Sequence, residues 1–381
     1  LAYLREVPDN ADALYNLGLI YQEKGEINKA LNTLSRAYEI RPDDPGILKE
    51  IGRCYHLAKN YDKAIEYYSL ALDKDTEDSE LYHNLALAHH SNNNYSQAIV
   101  YYSKSLELKD GDNVKRDMAK ALVAIGNELT LNNNFLESID FYKQAAEMNS
   151  EDIYAVSGLA NAYKRLKKYD EAVENFQKAI ALDPENPDLY VAHADVLAQL
   201  NKFVEAEATY QNAVELNPEH INARIGLGNL YYKYNRYDKA LEEYKKVVEK
   251  DSTNPEILIK LGNIYKEKSN SKEAQACYEK ALQINPENVS ARFNLGLIYF
   301  ENGNSAKAKE YFLATIKSKP EFPYVYYALG MLYDKEKKYQ EAVSNYEKFV
   351  ALAPQDGSVP AIKQRIKVLK NALNNRTGKK K

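Results

Sequence analysis

Apolar residues recur three and four apart in short stretches, each followed by a polar break and a second stretch of the same kind. This is the pattern of paired amphipathic helices. Segments such as NLGLIYQEKGEINKAL, GLANAYKRLKKYDEAV and GLGNLYYKYNRYDKAL return at fixed spacing. A small residue anchors each copy: Gly18, Gly52, Ala86, Gly126, Ala160, Ala194, Gly228, Gly262, Gly296 and Gly330. Every step is 34 residues except that from Ala86 to Gly126, which is 40. The pattern therefore predicts ten repeats, with a six-residue insertion at 113–118 that lengthens the first helix of the fourth repeat from Val114 onward, capped by Asp112 or Asn113.

The same places in each copy carry the same kinds of residue. Three past the anchor most repeats have an aromatic, as in Tyr21, Tyr55 and Tyr163. Twelve past it nine of ten have Ala, as in Ala30 and Ala172, and sixteen past it nine of ten have Tyr or Phe, as in Tyr68, Phe176 and Tyr346. Small residues allow two helices to approach, and rings fill the space between them. Pro closes six repeats (Pro42, Pro184, Pro218, Pro286, Pro320, Pro354), where it stops one helix before the next begins.

These residues make the chain resemble the tetratricopeptide repeat family over residues 11–356. The resemblance implies an all-α fold, a right-handed α-solenoid superhelix of tandem helix–turn–helix repeats, with first helices lining a concave groove and second helices forming the back. Repeats one to three fall at 11–112 and repeats four to ten at 119–356. Residues 1–10, with Pro8 in the closing place, read as the tail of a truncated preceding repeat. Residues 357–381 read as a capping helix, since an open end of such a stack would expose core, followed by a basic tail.

Composition removes several function classes. No apolar run approaches the ~18 residues of a membrane span. Fifty-one basic against 55 acidic side chains give a net charge of −4, so general nucleic-acid binding is not expected. No acidic residue follows Asp356, while eight basic ones do, from Lys363 to Lys381. That stretch reads either as a solvated helix face with a frayed end or as a contact for an acidic partner. Cys54 and Cys277, six repeats apart, read as small apolar residues beyond disulfide reach. The sequence specifies no compartment; the cytoplasm is the default, and a targeting signal or anchor upstream of Leu1 stays open.

No nucleophile–base pair or phosphate-binding loop is visible, so neither catalytic residues nor a cofactor are expected. His56, His83 and His90 fall on one side of adjacent repeats but lack a carboxylate or thiolate to complete a metal site. His193, standing where other repeats have Leu or Ile, reads as a hydrogen-bonded core histidine.

Three groups of binding residues remain. One past the anchor, the central repeats carry Asn127, Asn161, Asp195, Asn229 and Asn263. Beside them, three before the anchor, stand Val123, Ser157, Val191, Ile225 and Ile259. Such an amide ladder suits the main chain of an extended peptide, or is simply a solvated place in the repeat pattern that holds no core together. Towards the C-terminus the stripe turns apolar (Phe293, Leu297, Phe300, Tyr327, Met331), as a docking face or as a surface covered by the last helix. Thirdly, Lys49, Asn84 and Lys120 partly match the carboxylate clamp that the resemblance implies for some members, with Arg53 where the clamp has Asn. The function expected is a non-enzymatic scaffold or adaptor that binds a protein or extended peptide in its groove and takes part in a multiprotein complex. The alternatives are a regulatory or substrate-recruiting domain of a larger enzyme, or a co-chaperone.

Overall fold

A computed structural model describes residues 9–378, with side chains to Asn374. Among the described residues the secondary structure is helical throughout, and the chain divides into two compact units, residues 1–216 and 217–381. The expected tail of a preceding repeat at 1–10 and the last lysines lie largely outside the described residues.

The first unit holds six helix pairs: α1 (Ala11–Glu23) with α2 (Ile27–Ile40), α3 (Pro45–Leu57) with α4 (Tyr61–Leu72), α5 (Ser79–Ser91) with α6 (Tyr95–Leu108), α7 (Asp112–Leu131) with α8 (Phe135–Met148), α9 (Ile153–Arg165) with α10 (Tyr169–Leu182), and α11 (Pro187–Gln199) with α12 (Phe203–Leu216). The second holds α13 (Ile221–Lys233) with α14 (Tyr237–Lys250), α15 (Pro255–Glu267) with α16 (Ser271–Ile284), α17 (Val289–Glu301) with α18 (Ser305–Ser318), and α19 (Pro323–Lys335) with α20 (Tyr339–Leu352), then α21 (Val359–Gly378).

Nine of the ten pairs close around the ring sixteen past the anchor, and the first closes around Leu34. Tyr68, Tyr102, Phe176, Tyr244, Tyr278 and Phe312 are buried, each burial being worth about 1.5–3 kcal/mol. The anchors are small because the rings lie on them: a Cβ on Gly262 would sit 2.6 Å from the Tyr278 ring.

The turn inside each pair is the same device ten times over. The residue seven past the anchor has φ between 58° and 79°, from Gly25 through Lys59, Lys167 and Ser269 to Lys337. The next N–H then reaches back to the carbonyl three past the anchor, as in Lys168 to Tyr163 at 2.9 Å and Asn270 to Tyr265 at 2.8 Å. That bond satisfies a carbonyl the helix end leaves open. First helices begin on a capping side chain in most repeats, among them Asn10, Asp44, Asp78, Asp152 and Asn288. Between pairs, the side chain four before the anchor donates to the closing proline's carbonyl. Tyr190 reaches Pro184 at 3.0 Å, Arg224 Nε reaches Pro218 at 2.8 Å, and Tyr326 reaches Pro320 at 2.8 Å.

The fourth repeat's first helix, α7, has 20 residues where others have 13. It starts at Asp112, two residues before the expected Val114. Its cap is the extended Gly111, which has no capping side chain, rather than Asp112 or Asn113. Asp112 sits in the first turn instead, where its charge favours the positive end of the helix dipole.

Helix α21 packs on α20 through Val359, Ile362, Ile366 and Leu369, which join the core that holds Tyr346 and Phe349. Arg365, 35 residues past the last anchor, makes a two-pronged ion pair with Asp334 of α19 at 2.7 and 2.8 Å.

Candidate functional site

The residues one past the anchor are tied into their own repeats. In the first unit the Tyr142 hydroxyl donates to Asn127 Oδ1 at 2.7 Å, and the Tyr210 hydroxyl donates to Asp195 Oδ1 at 2.6 Å. In the second, Tyr244 donates to Asn229 Oδ1 and Tyr278 to Asn263 Oδ1, each at 2.7 Å. Burial pushes the Tyr210, Tyr244 and Tyr278 hydroxyls well above their ordinary range, so they stay protonated donors. A buried hydroxyl needs a partner, and the short polar side chain fifteen residues earlier supplies it. The idea that these residues hold no core together is therefore corrected for Asn127, Asp195, Asn229 and Asn263.

Asn161 is the exception. Its repeat has Phe176 in the ring place, with no hydroxyl to accept, and Asn161 instead donates to the Ser157 carbonyl of its own helix at 2.9 Å. It is exposed.

Successive repeats are linked through the same places. Lys164 Nζ donates to Asp195 Oδ2 at 2.8 Å, and Asn294 Nδ2 to Asn263 Oδ1 at 3.0 Å. Lys260 donates to Asn229 Oδ1. Sequence reading missed these rungs, although the pairing of Tyr with Asn or Asp fifteen residues earlier is visible in four repeats. Of the neighbouring stripe, Val123 and Ile259 are buried, while Ser157, Val191 and Ile225 are half-buried.

The five apolar residues near the C-terminus are half-buried and lie against one core cluster. Phe293 meets Phe312 and Phe322 with ring centroids 5.9 and 5.1 Å apart, Tyr327 meets Phe349 at 5.2 Å, and Lys335 Nζ stands 5.3 Å from the Phe300 ring centre. Leu297 and Met331 pack against the same cluster. The ring partners come from α18, α20 and the turn before α19.

Lys49 is held by Asp78 and Glu80, both at 3.1 Å, and Lys120 by Asp117 at 2.9 Å. Arg53 lies 3.8 Å from Glu50, and Asn84 is half-buried. A carboxylate ligand at this place would compete with these internal acids.

The histidines are engaged with neighbouring side chains. His56 Nε2 meets the Ser91 hydroxyl at 3.3 Å, His83 Nε2 meets Asp117 at 3.1 Å, and His90 Nδ1 meets the Tyr102 hydroxyl at 3.4 Å. Among the described residues no group of His, Cys, Asp and Glu could hold a metal ion. His193 is buried, but its Nε2 has no hydrogen-bond partner, contrary to the expected bonded core histidine. Both cysteines are free; Gln22 Nε2 donates to Cys54 Sγ at 3.1 Å. No described helix is long and apolar enough to cross a membrane.

Solved structures resemble the chain at low identity. The C-terminal part of a TPR repeat-containing protein from Cytophaga hutchinsonii is 18% identical, with 63% of this chain and 98% of that one covered and a TM-score of 0.53. Yeast Tom70 is 16% identical over 96% of each chain, with a TM-score of 0.44. YrrB, described as a TPR protein with an unusual peptide-binding site, is 26% identical over 60% of this chain and 97% of its own, at 0.38. No curated protein matches. Family models described as tetratricopeptide repeat match residues 9–77, 79–112, 154–186, 187–220, 289–322 and 323–356, and a model described as TPR repeat matches 228–269 and 262–303. With the ten-fold recurrence of small anchor and left-handed turn and the nine-fold recurrence of the ring, these matches establish that the chain belongs to the tetratricopeptide repeat family.

Proposed function

We propose that the chain is a non-enzymatic interaction scaffold that holds a protein or extended peptide against its first helices. The observation that carries this reading is the regular presentation of hydrogen-bonding groups beside half-buried apolar side chains. In the first unit Asn161 is exposed and bonds only Ser157 of its own helix, and Val191 of the next first helix is half-buried. An amide of that kind can turn both its oxygen and its N–H groups to a peptide backbone. In the second unit the half-buried Phe293, Leu297, Phe300, Tyr327 and Met331 supply an apolar docking face. Asn127, Asp195, Asn229 and Asn263 keep their oxygens on tyrosines, so the three amides among them offer a ligand chiefly N–H groups.

Affinity capture with the full chain, compared across variants, tests this reading. Asn161→Arg with Val191→Arg should lose a partner that the unaltered chain retains, whereas Glu174→Arg on the second helix α10 should keep it. Equal capture by all three would move the binding surface off the first helices.

A further inference from the structure

The sixth repeat departs from the others at a place away from the amide ladder. In three repeats, rings three and fifteen past the anchor stack on one another. Tyr55 lies on Tyr67, His89 on Tyr101 and Tyr299 on Tyr311, with centroids 5.4, 5.2 and 5.5 Å apart. Every other repeat has a ring in at least one of the two places; the sixth has Leu197 and Thr209. A cleft of about 410 Å3 opens there, lined by Val173 and Gln177 of α10, His193 and Leu197 of α11, and Glu205 and Thr209 of α12. That volume falls within the ~300–1,000 Å3 usual for ligand clefts, and the whole lining belongs to the first unit.

The same repeat is unusual at the residue before its anchor, which is Leu or Ile in the other nine and His193 here. His193 is 7% exposed, lines the cleft, and leaves Nε2 without a partner. An unmade bond at a buried polar atom is costly. Burial, with Lys202 nearby, favours the uncharged imidazole. Its Nε2 donates in one tautomer and accepts in the other, and a hydroxyl answers either. Glu205 and Lys202, both exposed and both lining the cleft, disfavour an anion and a cation respectively.

We propose that this cleft binds a phenol ring, either the side chain of a tyrosine presented by a partner or a free phenol. A turn of the imidazole towards the cleft brings the sealed His193 Nε2 to the hydroxyl, and the ring rests on Val173 and on Leu197, the latter at a place where three other repeats stack a ring.

Titrating the full chain with p-cresol, toluene and N-acetyl-tyrosinamide, followed by histidine imidazole NMR, tests the proposal. The His193 signals, identified by their loss in His193→Leu, should shift and saturate with p-cresol. Toluene should bind roughly three- to tenfold more weakly, for want of one hydrogen bond. His193→Leu should bind both probes alike, and Leu197→Tyr should bind neither. Thermal melting will show that Leu197→Tyr is folded; should it not be, Thr209→Tyr fills the same space. N-acetyl-tyrosinamide binding as well as p-cresol assigns the site to a presented tyrosine, and p-cresol alone assigns it to a free phenol. Absence of a saturable His193 shift, equal binding of toluene and p-cresol by the unaltered chain, or undiminished binding by a folded ring-filled variant would overturn the proposal.

Discussion

The tyrosine hydroxyls deep in the helix pairs decide what the polar residues one past each anchor do. Tyr244 is fully buried and donates to Asn229, while Phe176 asks nothing of Asn161. Asn229→Ala should therefore cost about 1–3 kcal/mol of stability by orphaning a buried hydroxyl, and Asn161→Ala should fall within roughly 0.5 kcal/mol of neutral, as exposed sites do. Urea unfolding of the two variants separates these roles; equal losses would contradict them. Acid acts at the same scale. Burial lowers the pKa values of His56, His89, His90 and His193 below their ordinary 6.5. For these groups the folded chain binds fewer protons than the unfolded one once the pH falls below 6.5, so their contribution favours folding above that value and is lost beneath it. Urea midpoints should drop between pH 7.5 and 5.5, and His193→Leu should shrink the drop. A midpoint that rises on acidification would refute the assignment.

Among elements, the intra-repeat turn shows what sequence reading could and could not reach. The 34-residue period, the small anchors and the buried rings were legible because packing restricts those places to a few residue types. The left-handed turn residue was not, since Lys, Asn, Ser and Gly all occupy it and only Gly25 and Gly303 advertise its backbone. Side chains pay a conformational penalty of roughly 1–2 kcal/mol there, partly offset by the freedom glycine brings to the unfolded chain. Lys167→Gly should accordingly raise stability by roughly 0.5–1 kcal/mol in urea melts, and a loss would show the residue held by more than its backbone. The tyrosine–amide pairs were legible in principle, as four co-occurrences fifteen residues apart, but Asn at an exposed helical place reads first as a ligand contact. The cap was legible from its apolar spacing. Leu369 is 2% exposed in the core shared with α20, so Leu369→Ala should cost about 2–5 kcal/mol, whereas Lys367→Ala on the exposed face should leave the melt unchanged.

For the molecule as a whole, repetition multiplies one kind of surface. Each unit stacks the same helix pair, so each offers first-helix places at regular intervals, and on the proposed reading differences among repeats decide what is recognised. Such differences are concentrated at the amide of Asn161, the aromatic face of the last two repeats and the ring-less sixth repeat. The sequence could locate the first two because their places recur; it could not name a partner, because recognition depends on which side chains remain uncommitted after folding.

Hydroxyl-radical footprinting of the full chain, with and without a captured partner, tests the scaffold reading most directly. Oxidation should fall at Phe293, Phe300, Tyr327 and Met331 or at Val191, all on first helices, while the exposed Leu136, Val204 and Leu313 of second helices stay as reactive as before. Protection of Leu136, Val204 or Leu313 with the first-helix residues unchanged would contradict it.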